Sequence, residues 1–216
     1  SLALAPPLSL PLRPLHSVLA MPRVDAPPSS LERTAIALDS GSSSLKIGFC
    51  GEETPRATMP TSGLDEANGV RPMEAGVVTD WEAMETYWDH AFTHHLRINT
   101  EHCGVVLTAN LWETKLNKER IAQSLFESFA VPAIYLCSPP VFELYAAGRE
   151  NGVVLGSGAD CTYAVMVHEG LPDPRTLLRG SVAGTVLTTH AASVLAGVTG
   201  GALDAEAAEA AKIAVG

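Results

Sequence analysis

The sequence predicts an α/β protein with two related halves, of which the first is complete and the second truncated. The stretch IALDSGSSS at 36–44 returns as VVLGSGADC at 153–161, so that Asp39 and Gly156 stand at matched positions 117 residues apart (39 to 156). Each copy opens a run of three extended segments and a helix. In the first half, strands then alternate with helices, which predicts a mixed sheet whose later strands are parallel.

These patterns divide the chain into three parts. Residues 1–33 are rich in leucine and proline and are predicted to be a disordered tail. Residues 34–150 form the first half, with the order β-β-β-α-β-α-β-α. Residues 151–216 repeat the three strands and the helix and then break off, so we expect an exposed apolar face and an unpaired sheet edge. Either a further part of the protein or a partner would cover them.

The first half begins with a predicted three-stranded meander. The segments TAIALD, LKIGFC and PRATMP have the short extended pattern of strands separated by turn residues. A helix follows, because Thr79 and Glu82 have the spacing of a capping box. Its buried stripe is predicted to comprise Trp81, Met84, Trp88 and Phe92.

Two strand-helix pairs are predicted to complete the first half. GVVLT and AIYLC are short buried strands, and between them lies a helix with an apolar face of Ile121, Ala122, Leu125, Phe126 and Phe129. A third helix is predicted from Pro139, since proline is tolerated in the first turn, to Gly148.

The second half repeats part of this order. GVVLG, CTYAVMVHEG and RTLLRG predict strands, and a helix is predicted over about 185–195. A last helix has Asp204 as its predicted N-cap.

Composition excludes several classes of function. A chain of 216 residues that is 46% hydrophobic has ample apolar surface for a core. The net charge of -10 leaves no broad basic field, so we expect no direct binding of nucleic acid. No apolar run approaches the ~18 residues of a membrane span, so we expect a soluble protein without a membrane partner. The four cysteines form no C-x-x-C pair and are predicted to be reduced thiols.

Four histidines form a weaker candidate site. His90 and His94 lie four residues apart, with His95 and His102 nearby, and such spacing occurs in zinc sites. The H-x-x-x-H pattern lacks the central glutamate of a metalloprotease. A solvated helix face is the interpretation that we prefer.

The two matched turns point to phosphate chemistry. A strand-turn-strand with small residues at the turn aims successive backbone N–H groups at one point, and such a nest holds phosphate oxygens. Two of them facing each other across a cleft would form a phosphate clamp.

Several segments together resemble actin and the actin-related proteins. They are LDSGSSSLKIGFCGEETPRATMP, GVVTDWEAMETYWDHAF, NKERIAQSLFESFAVPAIYL, ELYAAGRENGVVLGSG and VAGTVLTTHAASVL. The resemblance covers about 34 to 195, with the segments in the family's order and spacing. It implies an actin-like, ribonuclease-H-like fold of two halves, with ATP and a divalent cation in the cleft between them.

The resemblance assigns candidate roles to individual residues. Asp39 matches a carboxylate that faces the hydrated metal ion through water, and Lys46 matches a phosphate-contacting lysine, a mobile point charge. The full set of candidate nucleotide-phosphate-binding residues is Asp39, Gly41, Ser42, Ser43, Lys46, Ser157 and Gly158.

Departures from the family's pattern concentrate in the second half. Gly156 stands where the family has a second metal-facing aspartate, Ala159 replaces another acid, and Asp160 stands at a glycine. Pro139 replaces the glutamine that positions the attacking water, and Tyr163 replaces an assisting histidine. Hydrolysis needs an oriented nucleophile and charge neutralisation by a metal. We therefore expect no catalytic residue, at most weak binding of ATP or ADP with Mg²⁺, and little or no ATPase activity.

The resemblance leaves three functions open. The first is a divergent actin-related protein that acts as a structural or scaffolding subunit of the cytoskeleton. It would lie in the cytoplasm, in a hetero-complex with actin, actin-related or scaffold subunits. The alternatives are an active actin-type ATPase known only as a fragment, and a nuclear actin-related subunit of a chromatin-remodelling complex. About ten residues between Thr61 and Arg71 replace a longer subdomain whose loop grips the next subunit in actin, so we expect no filaments.

Overall fold

The computed structural model describes residues 35–61, 71–199 and 205–215. In these ranges the fold is built on a five-stranded and a four-stranded β-sheet. The predicted tail at 1–33 and the predicted N-cap Asp204 lie outside the described residues. Within these ranges the strands are β1 (Ala35–Ser40), β2 (Ser44–Phe49), β3 (Ala57–Pro60), β4 (Met73–Glu74), β5 (Val77–Val78), β6 (Gly104–Thr108), β7 (Ile134–Cys137), β8 (Gly152–Ser157), β9 (Thr162–His168), β10 (Leu171–Pro172) and β11 (Leu178–Gly180).

The first sheet has the mixed arrangement that the sequence predicts. Its strand order is β3-β2-β1-β6-β7. Strands β1, β2 and β3 are antiparallel neighbours, and β6 and β7 continue the sheet in parallel with β1. The parallel strands are joined through helices, as right-handed crossovers require.

The helices are α1 (Trp81–His90), α2 (Lys115–Gln123), α3 (Pro139–Ala146), α4 (Gly184–Thr199) and α5 (Ala205–Val215). The predicted capping box at α1 was wrong. The N-cap is Asp80, whose carboxylate accepts a hydrogen bond from Ala83 N–H at 2.9 Å. Thr79 lies one residue outside, and its hydroxyl instead points at Pro72 O, 3.5 Å away.

The first core lies between the first sheet and α1 and α2. The predicted stripe is confirmed at Met84 and Trp88 on α1 and at Phe92 in the π-helical segment Ala91–Leu96 that continues it, each at most 1% exposed. On α2, Ile121 is buried, whereas Phe126 is 46% exposed, so its predicted place on the apolar face was wrong. Phe126 lies in a π-helical segment, Ser124–Ser128, that continues α2, and its neighbour Leu125 takes the buried position there.

A short hairpin between β3 and α1 was not predicted. Strands β4 and β5 pair through the turn Ala75–Gly76, where both residues have positive φ, 48° and 77°. Positive φ at both central positions is typical of the tight turns that join two strands without splaying them. A Cβ on Gly76 would lie 2.4 Å from the side chain of Asn110, so glycine is required there.

The second sheet has one covered face and one exposed face. Strand β9 lies between β8 and β11 and also pairs with β10, always antiparallel. Buried residues of β8 and β9 form a second core with α3, and these residues include Val154, Val165 and Val167. The opposite face exposes Val153, Leu155, Met166 and Leu178. The sequence led us to expect such an uncovered apolar face.

Helix α5 packs on α4 and is tied to it by a polar network. The Lys212 ammonium donates to the Thr188 hydroxyl at 2.9 Å and to the Glu209 carboxylate at 2.6 Å. The helices of the described ranges all fall short of the length and apolar character that a membrane span requires.

Candidate functional site

A cleft of about 520 Å³ lies between the two sheets. It is open to solvent, and both matched turns contribute to its walls. The structure brings together in this cleft all the candidate phosphate-binding residues, namely Asp39, Gly41, Ser42, Ser43, Lys46, Ser157 and Gly158. Pro139, Gly156, Asp160 and Tyr163 also line it, so the departures from the family's pattern lie at the same site.

The two turns have the same hydrogen-bonding geometry. Gly41 N–H donates to Ser44 O at 3.0 Å, and Gly158 N–H donates to Cys161 O at 2.9 Å, at positions again 117 residues apart (41 to 158). A Cβ on Gly41 would lie 2.9 Å from Ser44 O, which explains the glycine. The duplication seen in the sequence is therefore a duplication of backbone structure.

Each turn leaves backbone donors for an anion. Among the described residues, no acceptor is paired with the N–H groups of Ser42 and Ser43 in the first turn, or of Ala159 and Asp160 in the second. Consecutive unpaired N–H groups at a turn provide the partial positive charge that attracts phosphate oxygens. This backbone geometry suits an anionic ligand at either turn.

A charged pair stands beside the first turn. Asp39 and Lys46 are direct cross-strand partners on β1 and β2, and the Lys46 ammonium lies 3.6 Å from the Asp39 carboxylate. Thr108 at the end of β6 donates its hydroxyl to the same carboxylate at 2.7 Å. Both charged side chains are 37% exposed, so the pair is solvent-screened and Lys46 is free to move to a phosphate.

The second turn carries an uncharged pair at the matched positions. Gly156 and Tyr163 are cross-strand partners on β8 and β9, and they stand where Asp39 and Lys46 stand in the first half. The Tyr163 ring lies over Gly156, so a Cβ at position 156 would be 2.4 to 2.6 Å from ring atoms. A carboxylate side chain at position 156 would need the space that the Tyr163 ring fills.

Glu143 holds the tyrosine in place. The Tyr163 hydroxyl donates to Glu143 Oε1 at 2.8 Å, from α3 across the second core. Burial raises the pKa of the Glu143 carboxyl, while the hydrogen bond from Tyr163 works against that rise. Burial and then the neighbouring Glu143 raise the pKa of Tyr163, so the phenol stays protonated and remains a donor.

The donor set does not fit a divalent cation held between the two turns. Mg²⁺ prefers carboxylate and phosphate oxygens, and the second turn presents no carboxylate at position 156. The other acids of the cleft are already hydrogen-bonded, Glu143 to Tyr163 and Asp160 to the backbone N–H of Ala75. Asp39 is engaged as well, by the Thr108 hydroxyl at 2.7 Å and the Lys46 ammonium at 3.6 Å.

The histidine candidate does not assemble a metal site. The rings of His94 and His95 pack against His90, with ring centroids 4.6 and 5.1 Å apart. In the described ranges, no three or more His, Cys, Asp or Glu side chains are grouped in a way that could hold a metal ion. Both His94 and His95 are exposed, which agrees with the solvated face that we preferred.

Several residues of the cleft were not found from the sequence. Glu143 has no motif around it, and Thr108 ends an ordinary strand. The hydrogen-bond partners of Asp160 were also not found from the sequence: its carboxylate accepts from Ala75 N–H at 3.2 Å and from the Thr185 hydroxyl at 3.0 Å. The 117-residue repeat places Tyr163 at the position that matches Lys46, and it was the sequence signal for the residues of the second turn.

Fold and cleft together define an α/β protein of the ribonuclease-H-like type, in which two related halves each present a turn to a shared cleft. A family model described as Actin matches residues 63–200. The chain is also 33% identical over 193 residues to a protein named "Actin-like protein" from Neurospora crassa, a match that covers 77% of this chain and 51% of the relative. The chain belongs to the actin family.

Each of the two comparisons covers only part of a chain. The chain spans about half the length of the curated relative it matches. The range 63–200 includes the second turn and Tyr163 but leaves out β1 and β2, with Asp39 and Lys46.

Proposed function

We propose that this chain is a divergent actin-related protein that serves as a structural or scaffolding subunit of the cytoskeleton, with a degenerate ATP site. The observation that carries the proposal is the Tyr163 ring over Gly156. It removes a carboxylate from the cleft and fills the space that the carboxylate needs. A cleft altered in this way keeps the shape of a nucleotide site and loses the means to neutralise charge during phosphoryl transfer.

Nucleotide binding at this site rests on the first turn. The N–H groups of Ser42 and Ser43 would donate hydrogen bonds to phosphate oxygens, and Lys46 would leave Asp39 to contact the same oxygens. In the second turn, the Ser157 hydroxyl and the N–H groups of Ala159 and Asp160 would contribute contacts, beside Gly158, whose own N–H donates to Cys161 O. ATP or ADP is therefore the ligand class, bound weakly, with any Mg²⁺ held through water at Asp39 alone.

Hydrolysis lacks its orienting groups. Pro139 is the first residue of α3 and lines the cleft, but its side chain has no hydrogen-bonding group for a water molecule. The Tyr163 hydroxyl already donates to Glu143. No described side chain at these two positions is available to position an attacking water.

Phosphate release tests the proposal. Purified full-length protein with Mg-ATP should release phosphate no faster than a buffer blank, while a fluorescent ATP analogue should bind and be displaced by ATP. Asp39→Ala should weaken that binding. Phosphate release at the rate of a conventional actin that disappears in Asp39→Ala would show an active ATPase and overturn the proposal.

We further propose that the protein acts in a cytoplasmic hetero-complex with actin, actin-related or scaffold subunits. The exposed apolar face of β8, β9 and β11 is consistent with contacts beyond the described residues. Co-purification with cytoplasmic filament or microtubule-motor components would support this role. Co-purification with a helicase-type motor instead would identify a nuclear chromatin-remodelling subunit.

A further inference from the structure

The turn of the β4–β5 hairpin is held by side chains from both halves of the molecule. Ala75 N–H donates to Asp160, and Ala75 O accepts from Trp112 and Arg179. Gly76 N–H donates to the Ser42 hydroxyl, and Gly76 O accepts from the Asn110 amide. Asp160 and Arg179 belong to the second half, whereas the hairpin belongs to the first. The turn therefore lies where the two halves meet, at the edge of the cleft.

Asp160 makes the contact between the second turn and this hairpin. Its Oδ2 accepts from Ala75 N–H at 3.2 Å, across 85 residues of sequence, and its Oδ1 accepts from the Thr185 hydroxyl at 3.0 Å. Both carboxylate oxygens are used, one toward each half. A charged acceptor makes a stronger hydrogen bond to a backbone N–H than a neutral one does.

The second turn is itself fixed to the start of α4. Gly184 N–H donates to Gly158 O at 2.9 Å, and Thr185 N–H donates to Ala159 O at 2.7 Å. The carboxylate of Asp160 thus projects from a turn that has little freedom to move. A group on such a rigid support is able to set the position of what it binds.

A second contact crosses between the halves beside the first. Arg179 on β11 donates to Ala75 O at 3.1 Å, and its guanidinium stacks over the Trp112 ring, 4.6 Å from the ring centroid. Ala75 is thus bound from the second half at both its N–H and its carbonyl. These contacts also explain how a non-glycine residue is held at φ 48°.

We propose that Asp160 is a positioning residue that holds the two phosphate turns at a fixed separation without any ligand. The second turn has no carboxylate at 156, and the one at 160 lines the cleft and binds the first half at Ala75 N–H. Because the contact exists between protein groups alone, it goes beyond the proposed nucleotide site and is measurable without nucleotide.

Hydrogen exchange of the full-length protein without nucleotide tests this role. Asp160→Gly and Asp160→Ala both remove the carboxylate. Glycine gives the local backbone more freedom than alanine does, so an effect that both variants share reflects the loss of the carboxylate. In both variants the amides of 73–78 should exchange about tenfold faster, because the Ala75 N–H loses its acceptor. The β1–β2 amides should be unchanged in each variant.

Two variants serve as matched controls. Thr185→Val removes only the α4 side of the contact, and Glu150→Gln removes an exposed carboxylate from the same half. Exchange over 73–78 should stay within about twofold of the parent protein in both. If Asp160→Gly and Asp160→Ala leave exchange at 73–78 unchanged, Asp160 acts only within the second half and the proposal is wrong. Failure of ATP binding would count against the proposed function and leave this result standing.

Discussion

Gly156 and Tyr163 form one structural unit at the scale of single residues. They face each other across β8 and β9, as Asp39 and Lys46 do across β1 and β2. In one half the pair is a carboxylate and an ammonium, and in the other a bare backbone and an aromatic ring. The Tyr163 ring packs over Gly156 and covers backbone that a side chain at position 156 would otherwise cover. A side chain at position 156 would therefore require the Tyr163 ring to move.

The contact predicts that even a methyl side chain at position 156 destabilises the folded protein. Gly156→Ala should lower the free energy of unfolding by about 1–3 kcal/mol, because its Cβ would overlap the Tyr163 ring. The matched control is Gly180→Ala on β11, where a Cβ would have no atom within 4 Å. Urea unfolding of both variants measures the difference. Equal stability of the two would mean that the ring moves aside freely.

The pKa of Glu143 predicts a pH dependence with a definite sign. Because burial raises this pKa in the folded protein, its contribution to stability is full below the unfolded pKa of about 4.3. That contribution is lost as the pH rises through the higher folded pKa. Glu143→Gln removes the titration and keeps an oxygen that accepts from Tyr163.

Chemical unfolding between pH 4 and pH 8 measures this effect. The free energy of unfolding of Glu143→Gln, relative to the parent protein, should increase with pH. Exposed acids with lowered pKa, such as Glu52 and Asp173, titrate in both proteins and cancel in the difference. A difference that stays constant with pH would contradict the assignment.

At the scale of secondary-structure elements, α1 offers two candidate caps one residue apart. The Asp80 carboxylate accepts from Ala83 N–H, whereas Thr79 makes no capping contact of this kind. Asp80→Ala should lower the free energy of unfolding by about 1 kcal/mol, and Thr79→Ala by less than about 0.5 kcal/mol. Thermal unfolding followed by circular dichroism compares the two variants. A larger loss from Thr79→Ala would restore the capping box that the sequence suggested.

The elements that periodicity predicts are those whose side chains alternate between core and solvent. Strands β1, β2, β6 and β7 were predicted because each is a short extended run rich in apolar residues, and α3 because Pro139 and Gly148 mark its ends. The β4–β5 hairpin was not predicted. Its strands have two residues each, too few for a period, and its turn depends on the distant Asn110 and Asp160.

The candidate site was predictable only in part, for the same physical reason. The turns are local, so their glycines and serines are visible in the sequence. The partners of the cleft acids come from other elements, as Tyr163 does for Glu143 and Ala75 for Asp160. Such contacts depend on how the two sheets pack together, which no short segment encodes.

At the scale of the whole molecule, the two halves are joined by protein groups at the edge of the cleft. Asp160 and Arg179 reach the Ala75 backbone from the second half, and α3 packs its apolar residues on the second sheet. The junction therefore combines directional hydrogen bonds with an apolar core. Such a junction favours one relative placement of the two turns.

The short segment between Thr61 and Arg71 bears on whether the protein can form filaments. Only nine residues, 62–70, lie between the described Thr61 and Arg71. Nine residues span at most about 30 Å even when fully extended, which is too few to form a subdomain. The resemblance to actin implies a much longer subdomain at this place, with the loop that grips the next subunit.

We therefore expect the full-length protein to remain unassembled under conditions that polymerise actin. After high-speed sedimentation in Mg²⁺, KCl and ATP, it should stay in the supernatant at concentrations where a conventional actin pellets. The result should be the same with ADP, because the missing reach does not depend on the nucleotide. Pelleting that increases with protein concentration and shows filaments by electron microscopy would mean that another surface supplies the longitudinal contact.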